Sequence, residues 1–284
     1  MSTEILSSAP SILTLYPRAI IGSILPKKSK QLPDDALGMN NVATDRSALH
    51  AYNKVCGFND SDLMPPTWPH ILAFPLHMAL MTRPAFPFPL LGLVHIRNKI
   101  TQHRPIKITE KLNIHCRFGA LEPHEKGQAF SIITEARVGN ELVWDSLSTM
   151  LKRGKSGPKQ EKSSEAELPV NPTRESWTVP EDIGRRYGKV SGDMNPIHIH
   201  AVTARLFGFP KAIAHGMWAK SRILAALAPA IGTQPFSVDV NFKLPVLLPA
   251  KVSFLSASKD HQIIFELRDE KGEKPHQRGV VQFL

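Results

Sequence analysis

Asp193 and His198 set a carboxylate and an imidazole five positions apart in the run Tyr187-Gly-Lys-Val-Ser-Gly-Asp-Met-Asn-Pro-Ile-His198. Two such groups held side by side can move a proton to or from a substrate atom at neutral pH. Asn195-Pro196 lies between them and disfavours a continuous helix, so a turn must bring the side chains together. Further on, His215-Gly216-Met217 opens an apolar run over residues 217–230 that reads as a buried helix. The first N–H groups of a helix have no partner within it, and Gly216 lets a ligand approach them. Asp193, His198 and Gly216 are therefore the candidate acid, base and oxyanion donor.

Each of these residues also has a structural reading. An Asp before Asn-Pro is most often a turn carboxylate, and a lone His is most often a hydrogen-bonded structural residue. The functional reading rests on their combination in one segment. Ser191 and Asn195 should fix the turn through bonds from side chain to backbone. His215 should brace it, and with Met217 these residues complete the expected substrate surroundings. Asp193, His198, His200 and His215 are all residue types that ligate zinc, and a metal site is the competing reading of the set; no metal or cofactor is expected.

The elements that must position this segment follow from the rest of the chain. Its 284 residues suit two units of about 100 to 150 residues. No stretch reaches the roughly 18 uncharged apolar residues of a membrane span. Residues 12–25 are apolar but broken by Pro17 and Arg18, with no basic stretch before them, and read as an ordered arm or hydrophobic flap rather than a signal peptide. Two distant cysteines, Cys56 and Cys116, form neither a disulfide framework nor a metal spacing, which favours a cytoplasmic setting. The net charge of +10 favours polyanionic partners. No aromatic residues interleave with the basic ones, which argues against nucleic acid; a phosphorylated carrier such as coenzyme A, or an acidic acyl carrier protein, fits a basic surface equally well, and charge alone does not choose between them.

Residues 152–169, rich in charge, Ser, Gly and Pro, read as a linker. The halves on either side repeat weakly. Tyr52-Asn-Lys-Val-Cys-Gly57 matches Tyr187-Gly-Lys-Val-Ser-Gly192 at an offset of 135, and Val94-His-Ile-Arg-Asn-Lys-Ile100 matches Val238-Asp-Val-Asn-Phe-Lys-Leu244 at 144. The second half thus holds nine more residues between its anchors, and they fall where Asp193, His198 and His215 lie. In the first half Phe58 stands at the place of Asp193, so that half is expected to shape a pocket, with its aromatic stretch 68–88 taking an irregular path through its prolines. Helices are expected over residues 181–190, with Thr178, Pro180 and Glu181 leading, and over 199–207. Strands are expected over 93–102, 107–118, 128–138, 142–152, 236–242, 251–258, 261–268 and 277–283. His95 and Arg97 are placed on the surface or along a tunnel.

These residues resemble the MaoC-like hydratase and dehydratase family. The resemblance is carried by the motif of positions 187–198, by Ile213-Ala-His-Gly-Met217 and by Asn241-Phe-Lys-Leu-Pro-Val-Leu-Leu-Pro249. The two-copy layout resembles the double hot-dog 3-hydroxyacyl-thioester dehydratases. It implies an α+β double hot-dog fold, a long helix wrapped by a curved antiparallel sheet in each unit. The expected divisions are an arm over 1–30, a degenerate pocket-forming unit over 31–151, a linker over 152–169 and a catalytic unit over 170–284. The resemblance further implies Asp193 and His198 as the catalytic pair, the Gly216 N–H as oxyanion donor, and a 2-enoyl or (R)-3-hydroxyacyl thioester as substrate, carried on coenzyme A or acyl carrier protein. Monomer and homodimer both fit. The chain departs from the family pattern at His200, where an acidic residue is usual, and at Lys220 and Arg222, in a helix that is usually apolar near its start. A hot-dog thioesterase and a noncatalytic acyl-thioester binding module are the alternatives.

Overall fold

The computed structural model describes residues 3–24, 29–90, 92–155, 157–158 and 167–284; most of the expected linker lies outside them. The first part of the chain runs β1 (Thr3–Leu6), α1 (Ile12–Ile24), β2 (Ala36–Val42), α2 (Arg46–Cys56), α3 (Trp68–Met81), β3 (Leu93–Gln102), β4 (Leu112–His124), β5 (Gly127–Val138) and β6 (Glu141–Arg153). The second runs β7 (Thr173–Val179), α4 (Ile183–Ser191), α5 (Pro196–Ile199), α6 (Ala201–Arg205), α7 (Gly216–Ile231), β8 (Phe236–Phe242), β9 (Ala250–Lys259), β10 (Gln262–Asp269) and β11 (Pro275–Phe283). The strands form one sheet in the order β1-β2-β4-β5-β6-β3-β8-β11-β10-β9-β7, antiparallel apart from the parallel β1–β2 pair. Alternation produces this sheet: in β8, Phe236, Val238 and Val240 are buried while Ser237 and Asp239 are half-buried on the other face. Two apolar helices, α3 and α7, lie within the curve, one for each part of the sheet, and together they make the double hot-dog arrangement.

The central strands join the two halves. β3 and β8 pair antiparallel, and Arg97 stands opposite Asn241, its own counterpart at the 144-residue offset. Repeat-equivalent residues meet face to face only where a pseudo-two-fold axis passes between them. The other anchor behaves in the same way: Tyr52 of α2 and its counterpart Tyr187 of α4 pack with ring centroids 6.2 Å apart.

Several elements differ from expectation. The strand expected from residue 107 begins at Leu112, because residues 107–110 turn, with the Lys107 N–H held by the Glu110 carboxylate at 2.7 Å. Thr178 lies in β7, and α4 starts at Ile183 behind Asp182, which makes no side-chain cap. The helix expected over 199–207 is two short helices, because His200 between them is extended (φ −142°, ψ 147°). The prolines of residues 68–88 do not prevent a helix: Pro69 sits in the first turn, where its missing N–H costs nothing, and α3 continues past Pro75 to Met81. Residues 3–24 are an ordered strand and helix. No helix among the described residues is long and apolar enough to cross a membrane.

Candidate active site

The turn that carries Asp193 is fixed at both ends. α4 stops at Gly192, whose left-handed backbone (φ 78°) returns its N–H to the Gly188 carbonyl, 2.9 Å. The next residue, Asp193, is thereby projected away from the helix. Ser191 Oγ accepts the Asp193 N–H at 3.2 Å, and Asn195, as N-cap of α5, accepts the Ile197 N–H at 3.3 Å with Pro196 following in the first turn. Both residues line the cavity, but the atoms they spend here hold the turn. α5 is pressed against α4 at Gly184, where an added Cβ would lie 1.9 Å from the His198 carbonyl oxygen.

One nitrogen each of His198 and His215 and one carboxylate oxygen of Asp193 lie within 4.8 Å of one another. His198 Nδ1 is 2.8 Å from the Ile213 carbonyl, so Nδ1 carries the hydrogen and the neutral ring keeps its lone pair on Nε2. Burial lowers the His198 pKa against the opposing pull of Asp193 and the Ile213 carbonyl, which leaves the ring neutral and able to take a proton. His215 stacks on it, with ring centroids 3.7 Å apart, and donates from Nε2 to the Asp193 backbone carbonyl at 2.9 Å. Burial and the neighbouring His198 push His215 down to about 3. It braces the turn, as its position suggested.

Asp193 lines the cavity and its side chain is 31% exposed. Burial would raise its pKa, but His215, His198, the Asn195 N–H and a phenol outweigh it and hold the carboxyl below the usual range. That phenol is Tyr16, whose hydroxyl donates to Asp193 Oδ1 at 3.2 Å from α1, 177 residues away in sequence. Sequence reasoning treated this helix as an arm or flap and missed Tyr16; nothing local marks a tyrosine as facing a carboxylate so distant along the chain.

Gly216 is the first residue of α7, so no carbonyl one turn back takes its N–H. It faces the cavity with Met217, and the Phe242 ring lies 3.0 Å from where a Cβ on Gly216 would stand. Its carbonyl accepts from Gln277 Nε2 at 2.8 Å, an anchor the sequence reading also missed. The cavity, of about 350 Å³, runs from this helix start and the Asp193–His198 pair along α3 and β3 of the first half. Phe58, in the place of Asp193, stacks on Tyr52 instead, 6.4 Å between centroids. Arg97 points outward to an ion pair with Asp239, Nε to Oδ1 2.9 Å, whereas His95 lines the cavity. The Asp193–His198–His215 trio is also of residue types that can ligate a metal; His198 Nδ1 and His215 Nε2 bond backbone carbonyls, which leaves the other nitrogen of each ring as the one a metal could take.

The MaoC like domain family matches residues 155–280. The chain is 33% identical to 3-hydroxyacyl-thioester dehydratase X of Mycobacterium tuberculosis over 280 residues, covering 97% of this chain and 99% of that one. The crystal structure of that protein, HtdX, superposes with a TM-score of 0.77 at 31% identity, covering 88% of this chain and all of the other. A MaoC-like dehydratase from Phytophthora capsici shares the fold, with a TM-score of 0.75 at 17% identity over 89% of this chain and 96% of that one. The chain belongs to the MaoC-like dehydratase family.

Proposed function

We propose that Asp193, His198 and Gly216 carry out the reversible hydration of 2-enoyl thioesters to (R)-3-hydroxyacyl thioesters. The observation that carries the proposal is the pairing of an ionised carboxylate with a neutral imidazole lone pair on one wall of a cavity that also holds an unpartnered helix start. The substrate reading is supported by the M. tuberculosis relative, whose name is that of a 3-hydroxyacyl-thioester dehydratase. A thioester carbonyl makes Cα acidic, and proton loss there places negative charge on the thioester oxygen. The Gly216 N–H is placed to meet that charge; one such donor is typically worth about 2.7 to 4 kcal/mol.

In hydration, Asp193 and His198 hold a water between them. One of the pair takes a proton from that water as its oxygen bonds to Cβ and gives that proton up to Cα, so that both groups return to their starting state; dehydration is the reverse. Positioned acid–base groups contribute on the order of 10² to 10⁴ in rate. We assign residues 31–151 to the unit that shapes the acyl pocket, 170–284 to the catalytic unit, and a coenzyme A or acyl-carrier thioester to the substrate. Both cysteines are free and buried, which supports a cytoplasmic setting.

The test follows the ultraviolet absorbance of crotonyl, octenoyl and dodecenoyl coenzyme A, and of the same groups on acyl carrier protein, with wild type, Asp193→Asn and His198→Ala. Loss of the enoyl signal with wild type, and turnover at least about 10² lower in each variant, is expected. No loss on either carrier would overturn the reading, and thiol release without hydration would make the chain a thioesterase.

A further inference from the structure

The cavity that holds the Asp193–His198 pair is also lined by His70, His77 and His95 and by Met81, Ile132 and Met150. Ligand pockets of this kind are lined mainly by apolar side chains with a few placed polar groups. Three histidines along one wall therefore call for an explanation. His70 and His77 keep only 6% and 3% of their surface, and the His70 ring centroid lies 5.2 Å from that of His77 and 6.4 Å from that of His95. His77 is satisfied, with Nε2 2.7 Å from Thr134 Oγ1. The other two are not: His70 Nδ1 and His95 Nε2 are buried atoms with no hydrogen-bond partner. His95 also packs on Phe242, centroids 4.9 Å apart, and Phe242 is the ring that covers Gly216. Phe242 thus touches both His95 and the helix start.

Lys220 bears on which hydrogen-bonding role these rings present. It is the basic residue that α7 carries near its start, where the family pattern is apolar, and it is fully buried. Its Nζ lies 2.9 Å from the Asn98 carbonyl, 2.6 Å from Asn98 Oδ1 and 3.3 Å from the Val238 carbonyl, which fixes α7 to β3 and β8, while burial lowers its pKa well below the ordinary lysine value. Burial is the main cause that lowers the pKa of both His70 and His95, and Lys220 adds to it for each. Both rings are neutral at physiological pH. In the tautomer of neutral His95 that carries its hydrogen on Nδ1, the unpartnered Nε2 presents a lone pair.

We propose that His95, with His70 beside it, forms a subsite that accepts a hydrogen bond from a hydroxyl carried on the acyl chain beyond Cβ, so that the cavity is built for hydroxylated acyl thioesters. The proposal rests on the thioester reading of the same cavity. An aliphatic chain would leave the His95 lone pair buried and unpaired, and sites that hydrogen-bond a substrate group discriminate strongly against chains lacking it.

Calorimetry with hexanoyl coenzyme A and its 4-, 5- and 6-hydroxy derivatives tests this without turnover, because saturated chains cannot be hydrated. At least one hydroxylated chain is expected to bind at least about tenfold more tightly than hexanoyl coenzyme A, one hydrogen bond being worth about that ratio. His95→Leu and His70→Leu should each pull the ratio toward one, whereas His95→Gln, which restores a carbonyl acceptor, should recover part of it. A Leu variant that does not fold is replaced by the Phe variant at that position, which likewise offers no acceptor, and is judged by the same ratio. No hydroxylated chain binding more tightly than the plain one, or a preference surviving both substitutions, would overturn the proposal. Failure of the thioester hydration reading is distinct from this: it is loss of the enoyl assay, whatever the binding ratio.

Discussion

Asp193 and His198 do opposite things with the same burial. A buried carboxylate tends to gain a proton and a buried imidazole to lose one; Asp193 stays ionised only because His215, His198, the Asn195 N–H and the Tyr16 hydroxyl favour its charge. Tyr16 is the one of these donors that can be removed without touching the motif. Its hydrogen bond stabilises the ionised form, so removing it raises the pKa of Asp193 and moves the acid limb of activity to higher pH. Tyr16→Phe should shift that limb in kcat/KM upward by up to about one unit, while activity above the limb falls far less than with Asp193→Asn. A limb that stays in place would mean that Tyr16 only packs there. The motif residues were legible because their types, order and spacing lie within one segment of sequence. Tyr16 and Gln277 were not, since each reaches the site from another element through the fold.

At the level of elements, the site depends on how closely α4 and α5 approach. Gly184 permits the approach, and the contact is with backbone: a Cβ there would stand 1.9 Å from the His198 carbonyl oxygen. A flexible side chain could move aside, but the carbonyl of α5 cannot do so without carrying His198 with it. Gly184→Ala should therefore destabilise the fold by about 1 to 3 kcal/mol and lower kcat at the same time, measured by urea unfolding and by the enoyl assay. A variant of unchanged stability and activity would show that α5 can shift freely. Element types were readable wherever one period dominated, as in β8, where side chains alternate between faces. They were misread where local chemistry ended an element early: residues 107–110 turn around Glu110, and His200 takes an extended backbone between α5 and α6. Pro75 erred in the other direction, because burial of α3 against the sheet overrides the helix-breaking tendency of one residue.

The whole molecule is two copies of one unit meeting at a pseudo-two-fold axis, and the weak repeat with offsets of 135 and 144 was sufficient to anticipate it. What the repeat could not show is that the first unit supplies buried polar groups to the shared cavity. Those groups make stability depend on acidity. Burial holds His77 down to about 4 and His95 and His215 to about 3, and it lowers His70 and His198 as well. In the unfolded chain each histidine titrates near about 6.5. Between those values the unfolded state binds protons that the folded state does not, so stability is complete above about 6.5 and is lost as the pH falls toward 4, by up to about 1.4 kcal/mol per histidine per pH unit. Asp193 adds no slope in that window: with its folded value lowered, its contribution is fully present above the ordinary carboxylate range and is lost only as the pH falls through that lowered value. Urea midpoints should therefore drop steeply between pH 7 and pH 5, by the equivalent of at least about 3 kcal/mol, well before carboxylates titrate. Replacing His77 by Gln, which can still bond Thr134 but cannot take up a proton, should make the slope shallower. A midpoint that stays flat over that range would mean these rings already carry protons when folded, and the neutral imidazole on which both the hydration chemistry and the hydroxyl subsite depend would be lost with it.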